Sequence, residues 1–330
     1  MKLFIATIII VCAIGATYGQ APTLRIQTDD PNLPSELYYG NVKVKPLRVR
    51  PGTNPAQFIT IADNDFFVQQ QYIDFLNRMP DTSGFNFWLG QITSCGSNQP
   101  CIDVTRINDS GAFFLSIEFQ QTGYLVERMY KAAYGDAPNA VSNFGPAHTV
   151  VAPIVKYSEF IPDVKQIGNG VIVNQGNWQA LLEANKVAFG QAFVQRSRFT
   201  DPSAYPTSMS PANFVKKLAD NAGVPANDQD RTTAINRFAG AADTSNITAR
   251  GQALRDIAEN ATVFNSEQNR AFVLMQYFGY MRRDPNNGNG DVDYTGYDFW
   301  LTKLNQANGN FISAEMVKAF IASSEYLNRF

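Results

Sequence analysis

One string of residues is written twice in this chain, at 67–119 and again at 272–326. Each copy opens Phe-Val-x-x-Gln-Tyr-x-x-aromatic-(Leu/Met)-x-Arg-x-Pro, from Phe67 to Pro80 and from Phe272 to Pro285. Each continues Asp-x-(Ser/Thr)-Gly-aromatic-x-Phe-Trp-Leu, starting at Asp81 and at Asp293. Each closes Ala-Phe-x-x-Ser-x-Glu-aromatic, ending at Phe119 and at Tyr326. A string repeated at this length marks a structural unit, and a unit this small must share its core with neighbours. The repeat therefore bounds the fold before composition is consulted.

The periodicity within the string is helical. Phe67, Val68, Gln71, Tyr72, Phe75 and Leu76 recur at three-to-four spacing, the mark of one apolar helix face. Pro80 is expected to end that helix, and Asp81 or Ser83 to cap the next. The second helix carries Phe85, Trp88, Leu89 and Ile92, and a third, about 104–120, carries Ile107, Phe113, Phe114, Ile117 and Phe119. Weaker echoes open at Leu125 and at Phe214. The expected organisation is a Pro-rich extended arm at 20–65, a helical repeat at 66–120, and a degenerate repeat at 121–200 with an insertion at 135–176. A further degenerate repeat at 210–265 and a well-matched one at 268–330 follow. The fold class is mainly α: tandem three-helix units packed as a compact helical array, with a short extended amino-terminal arm. Alternation at Val42–Lys45, with several prolines around it, suggests one or two extended segments in the arm. Val171–Val173 is the other candidate strand.

Arg78-Met79-Pro80-Asp81-Thr82-Ser83-Gly84-Phe85-Asn86-Phe87-Trp88, with Ser116-Ile117-Glu118-Phe119, resembles the bacterial family called domain of unknown function 4214. The last repeat matches the same pattern, except that residues 286–292 separate its Pro from its Asp. The tandem layout resembles secreted, acidobacterial-type proteins of this family. The resemblance implies small helical domains in exported, surface or S-layer-like proteins and implies no reaction. A looser likeness to the helical linker domains of phycobilisomes concerns fold alone.

Residues 1–19 read as a secretory signal: Lys2 at the charged end, an apolar run from Leu3 to Ile14, and Thr17 and Gly19 at the cleavage site. Export makes the two cysteines beyond it, Cys95 and Cys101, a local disulfide across a turn-rich loop. The net charge of −2 gives no positive footprint for nucleic acid. No second long apolar run predicts a transmembrane segment after signal removal.

Arg78, Pro80, Asp81, Gly84 and Trp88, with Arg283, Pro285, Asp293, Gly296 and Trp300, read as the turn and core of the repeat, because a catalytic site is rarely written twice in one chain. Asp81 and Asp293 would cap helices, Arg78 and Arg283 would pair with them across the turn, and the tryptophans would anchor the core; sugar stacking is the alternative use of Trp88 and Trp300. Asp284, Asn286, Asp291 and Asp293 crowd one loop of the last repeat, which reads as a solvated turn or as oxygen ligands for Ca2+ without EF-hand order. Glu118 and Glu325 are expected to pair with Arg or Lys. His148 stands alone, with no nucleophile elbow. Tyr157, Phe160 and Ile161 in the insertion suit a packed loop or a partner-binding one. The expected function is an exported, non-enzymatic scaffold or protein-interaction protein of the cell envelope or exterior, with no cofactor and a protein or surface polysaccharide as partner. A carbohydrate- or calcium-binding surface module is the alternative, and a secreted hydrolase the remote one.

Overall fold

The computed structural model describes residues 59–286 and 291–330 in full and, by backbone alone, 24–27, 36–39 and 42–45. The expected signal segment at 1–19 lies outside the described residues. In the arm, β1 (Leu24–Gln27), β2 (Glu36–Tyr39) and β3 (Val42–Lys45) form a three-stranded antiparallel sheet in the order β1-β2-β3. Leu24 pairs with Tyr39 and Gln27 with Glu36, and the register slips between Leu37 and Tyr38 on the β3 side. The described strands before Thr60 belong to a unit of their own; residues 60–329 form the helical one.

The helical unit opens with α1 (Asn64–Gln71), which passes into a π-helical turn at Tyr72–Leu76. Asn77, in the left-handed region at φ 53°, stops the helix three residues before Pro80, where the proline rule had placed the end. Then come α2 (Thr82–Thr93), α3 (Gln99–Leu115) and α4 (Ile117–Gln121). The single third helix expected over 104–120 is thus two. Ser116 adopts an extended backbone (ψ 147°), and its hydroxyl accepts from the Phe119 N–H to start α4. The Cys95–Cys101 disulfide (Cα–Cα 5.6 Å) staples the connection between α2 and α3.

Next, α5 (Gly123–Tyr134) is buried along its whole length from Gly123 to Ala133. It packs against α6 (Tyr157–Gly168), α9 (Pro211–Ala222), α11 (Ile247–Ala258) and α12 (Ala261–Met275). Its two basic residues are paired: Arg128 donates to the carbonyls of Tyr124 and Ala258, and Lys131 pairs with Asp136 at 2.6 Å. The insertion is an ordered structure. It holds a short hairpin, β4 (Val141–Ser142) with β5 (His148–Thr149), and then α6. Val171, expected in a strand, lies in a turn whose N–H donates to the Gly168 carbonyl.

The remaining helices are α7 (Trp178–Phe193), α8 (Ser197–Thr200), α10 (Gln229–Asn236), α13 (Thr295–Gln306), α14 (Met316–Ile321) and α15 (Ser324–Leu327). Helices α7 and α11 cross where Gly190 faces Gly251: a Cβ on Gly251 would come within 2.8 Å of the Gly190 backbone. Helix α12 ends, like α1, in a π-helical turn (Gln276–Met281) followed by a left-handed residue, Arg282 at φ 56°. The two π-turns meet. The Phe75 ring is edge-on to Tyr280 at 5.2 Å, and the buried Asp74 carboxylate takes Arg282 at 2.6 Å and Arg329 at 2.9 Å. The first and last copies of the string therefore share a core directly.

Candidate functional site

The motif residues assemble one local brace, and they assemble it in both copies. In the first, the Tyr72 ring stands edge-on to Phe113 at 4.8 Å, and its hydroxyl lies over Gly84, where any Cβ would collide with it. In the last, Tyr277 stands edge-on to Phe320 at 5.2 Å, and a Cβ on Gly296 would sit 2.7 Å from its hydroxyl. The glycine is needed for this close approach. Arg78 donates through Nε and Nη2 to both oxygens of Glu118 (2.6 and 2.8 Å), and Arg283 does the same to Glu325 (2.6 and 3.1 Å). Bidentate pairs of this kind fix orientation as well as charge. Each guanidinium also lies over its tyrosine ring, at 5.0 Å for Arg78 and 5.4 Å for Arg283.

Asp81 and Asp293 diverge. Asp81 is the N-cap of α2, accepting from the Gly84 N–H at 3.0 Å and the Ser83 hydroxyl at 2.6 Å, with Arg78 3.5 Å away. Burial opposes its charge, but the Ser83 and Gly84 bonds and Arg78 hold its pKa below the usual carboxylate range. Asp293 sits one residue too early to cap α13; its carboxylate closes a turn on the N–H and hydroxyl of Thr295. Arg283 bonds the Asp284 carbonyl and Glu325, and the expected pairing with Asp293 is not among its bonds. The β4 strand accounts for the shift: the Val141 N–H donates to the Val292 carbonyl, and the Tyr294 N–H donates back to Val141.

Trp88 and Trp300, expected as core anchors, are both half-buried. Each packs one side on the phenylalanine before it, Phe87 or Phe299, and another on the brace phenylalanine, Phe113 or Phe320. In the first copy the remaining face of this cluster borders a pocket of about 440 Å³. Trp88, Phe87, Arg78, Asp81 and Glu118 line it, together with Asn174 and Gln175 from the end of the insertion. Phe87 and Ile117 at its rim are each 56% exposed. Tyr72 lies at its base, where burial first and the Asp81 charge second push its hydroxyl up to about 12. For Arg78, burial works against the charge, and the Glu118 bond and charge outweigh it and raise its pKa. The pocket thus offers an aromatic wall, a closed ion pair and two carboxamides. The contribution of residues 174 and 175 was missed from the sequence, because nothing local marks which part of a long insertion folds back over a site.

The other candidates fall elsewhere. Asp284 accepts the Tyr157 N–H at 2.7 Å, Asp291 accepts the Asp293 N–H at 2.8 Å, and Asn286 donates to the Asp291 carbonyl at 2.6 Å. Among the described residues no group of three or more His, Cys, Asp or Glu converges as metal ligands. Tyr157 and Phe160 form the first turn of α6 and pack on Phe278, with ring centroids 5.7 and 5.1 Å away; Ile161 beside them is half-buried. His148 meets a partner the sequence did not announce: its Nε2 is 3.3 Å from Asp298 Oδ2, which also accepts the Ser142 hydroxyl at 2.7 Å. Serine and histidine both address the carboxylate rather than each other, the reverse of what activating a serine requires.

Residues 56–123 match the family model of Domain of unknown function (DUF4214). No curated protein and no solved structure matches the chain.

Proposed function

We propose that this chain is an exported, non-enzymatic binding protein, built of related helical units, and that the pocket beside Trp88 holds one sugar ring of a surface polysaccharide. The observation that carries this reading is the juxtaposition of a half-buried Trp88 with polar groups of both hydrogen-bonding senses in one open pocket. A sugar presents an apolar C–H face and a rim of hydroxyls. An aromatic wall serves the face, and carboxamides and charged groups serve the rim. The relatedness of the units is supported by the second stretch, where Ala192-Phe193 precedes the short α8 as Ala112-Phe113 precedes α4.

The carboxylates support binding over catalysis. Glycoside hydrolysis needs one carboxyl that keeps a proton near neutral pH. Asp81 is held low, and Glu118 commits both oxygens to Arg78. Asp81 and Glu118 do line one pocket, so the hydrolase reading has a definite test: release of reducing sugar that Glu118→Gln abolishes.

The binding reading is tested on a glycan array probed with the labelled chain and with Trp88→Ala. Retention on one or more neutral glycans, weakened about tenfold or more by the substitution, is expected. Equal retention of both proteins would contradict it. Export is tested by the mass of the chain recovered outside the cell, which should begin at Gln20.

A further inference from the structure

We propose a second saccharide site on the last copy of the string: the groove between α12 and α13, which takes a neutral stretch of polysaccharide. The groove encloses about 610 Å³. Asn265, Gln268 and Asn269 line it from α12, and Asn305 and Asn308 line it from α13 and the turn after it. Asn269 Nδ2 donates to Asn305 Oδ1 at 2.8 Å, while the carboxamides of Asn265, Gln268 and Asn308 make no side-chain hydrogen bond among the described residues. Gly309 closes one end, where a Cβ would press to 3.2 Å from Asn269 Oδ1.

The lining selects the ligand class. No carboxylate borders the groove, and its one cation, Arg270, is engaged with Glu267 at 3.0 Å and Asp136 at 3.8 Å. A charged ligand finds no counter-charge to displace water for. Each carboxamide places a donor and an acceptor side by side, which matches neighbouring hydroxyls that both give and accept. An apolar shelf continues from the same residues. Gln268, Asn269 and Asn308 also border a cleft of about 340 Å³ floored by Phe311, with Leu115 and Ile312, 54% and 51% exposed, at its edge. Polar groove and apolar shelf together offer a sugar its hydroxyl edge and its C–H face.

The site is separate from the pocket at Trp88 and stands or falls by itself, although both readings address the same polymer class. Two sites on one rigid unit engage a long chain with an effective concentration that multiplies their weak single affinities. The test uses the full chain, Gln268→Ala/Asn305→Ala and Trp88→Ala, each checked for an unchanged melting temperature, on an array of neutral and acidic glycans. The groove variant is expected to lose tenfold or more in apparent affinity for neutral polysaccharides, and the combined variant to lose more than either parent. Loss in the groove variant with none in Trp88→Ala would uphold the groove and remove the pocket. Loss in Trp88→Ala alone would overturn the groove and leave the pocket. Retention of acidic glycans only, or an equal response of the groove variant and the parent, would overturn the groove as a neutral-saccharide site.

Discussion

At the scale of single residues, the repeated motif is explained by contact. Gly84 lies in α2 directly under the Tyr72 hydroxyl, and Tyr72 is 4% exposed and pinned by Phe113. Gly84→Ala should therefore cost about 1–3 kcal/mol through overpacking, and Tyr72→Phe in the same chain should restore part of it. Gly90, in the same helix with nothing near its Cβ position, should behave oppositely: Ala there should gain about 0.5–1 kcal/mol of helix propensity. Chemical denaturation of the three variants checks both signs. Asp109 is a second residue-scale case. It is 4% exposed, its Oδ2 has no hydrogen-bond partner, and burial pushes its carboxyl up to about 7. The folded state thus binds this proton more tightly than the unfolded chain, whose aspartates titrate near 3.9. The resulting penalty is absent below about pH 4, grows as pH rises, and is complete above about pH 7, at up to about 4 kcal/mol. Asp109→Asn should flatten that part of the stability profile and be the more stable form at pH 8. Parallel profiles for the two proteins would contradict the assignment.

At the scale of elements, the helices were legible because their apolar spacing is local. The disulfide at Cys95 and Cys101 was legible because its signal, too, is local. Boundaries set by conformation were not. Asn77 ends the first helix before Pro80 because its left-handed backbone halts the π-turn, and Ser116 splits a helix whose apolar pattern runs on unbroken. The central place of α5 was hidden by Arg128 and Lys131, which look like a solvated face until their partners are known. The pocket was half legible: Arg78, Asp81, Gly84 and Trp88 stand in one string, whereas Asn174 and Gln175 come from a distant insertion. The acidic loop of the last copy has side chains already engaged with backbone among the described residues. Asp291 and Asp293 each accept the backbone N–H two residues on and shape turns, while Asp284 ties the loop to the Tyr157 N–H at the start of α6. Millimolar calcium should therefore leave the melting temperature unchanged, since only a ligand that favours the folded state raises it. A rise cancelled by Asp291→Asn with Asp293→Asn would show that the loop holds the ion.

At the scale of the whole helical unit, residues 60–329, the two copies of the string close on each other. In a linear stack each unit touches only its neighbours, and the ends can unfold separately. Here the π-turns of the first and last copies pack on each other, α14 lies against α3, and Asp74 is buried between Arg282 and Arg329. Residues 60–329 should accordingly unfold in one transition, with near- and far-ultraviolet circular dichroism changing together. A chain stopped before Ala261 should lose that cooperativity. Arg282→Ala, which leaves the Asp74 charge with one partner fewer, should lower the unfolding free energy by about 2–4 kcal/mol, read as a fall in the midpoint of the whole transition. The same closure makes the helical unit rigid enough to hold a pocket whose walls come from residues a hundred positions apart.

The central claim is that the pocket beside Trp88 holds a sugar. It is tested most directly by following the indole N–H resonances of the three tryptophans while the chain is titrated with the neutral glycan the array retains best. The Trp88 resonance, assigned by its loss in Trp88→Phe, should shift and saturate, while that of Trp178 stays in place. Saturable binding with Trp88 unmoved would contradict the account, and the ligand would then belong to another surface of the protein.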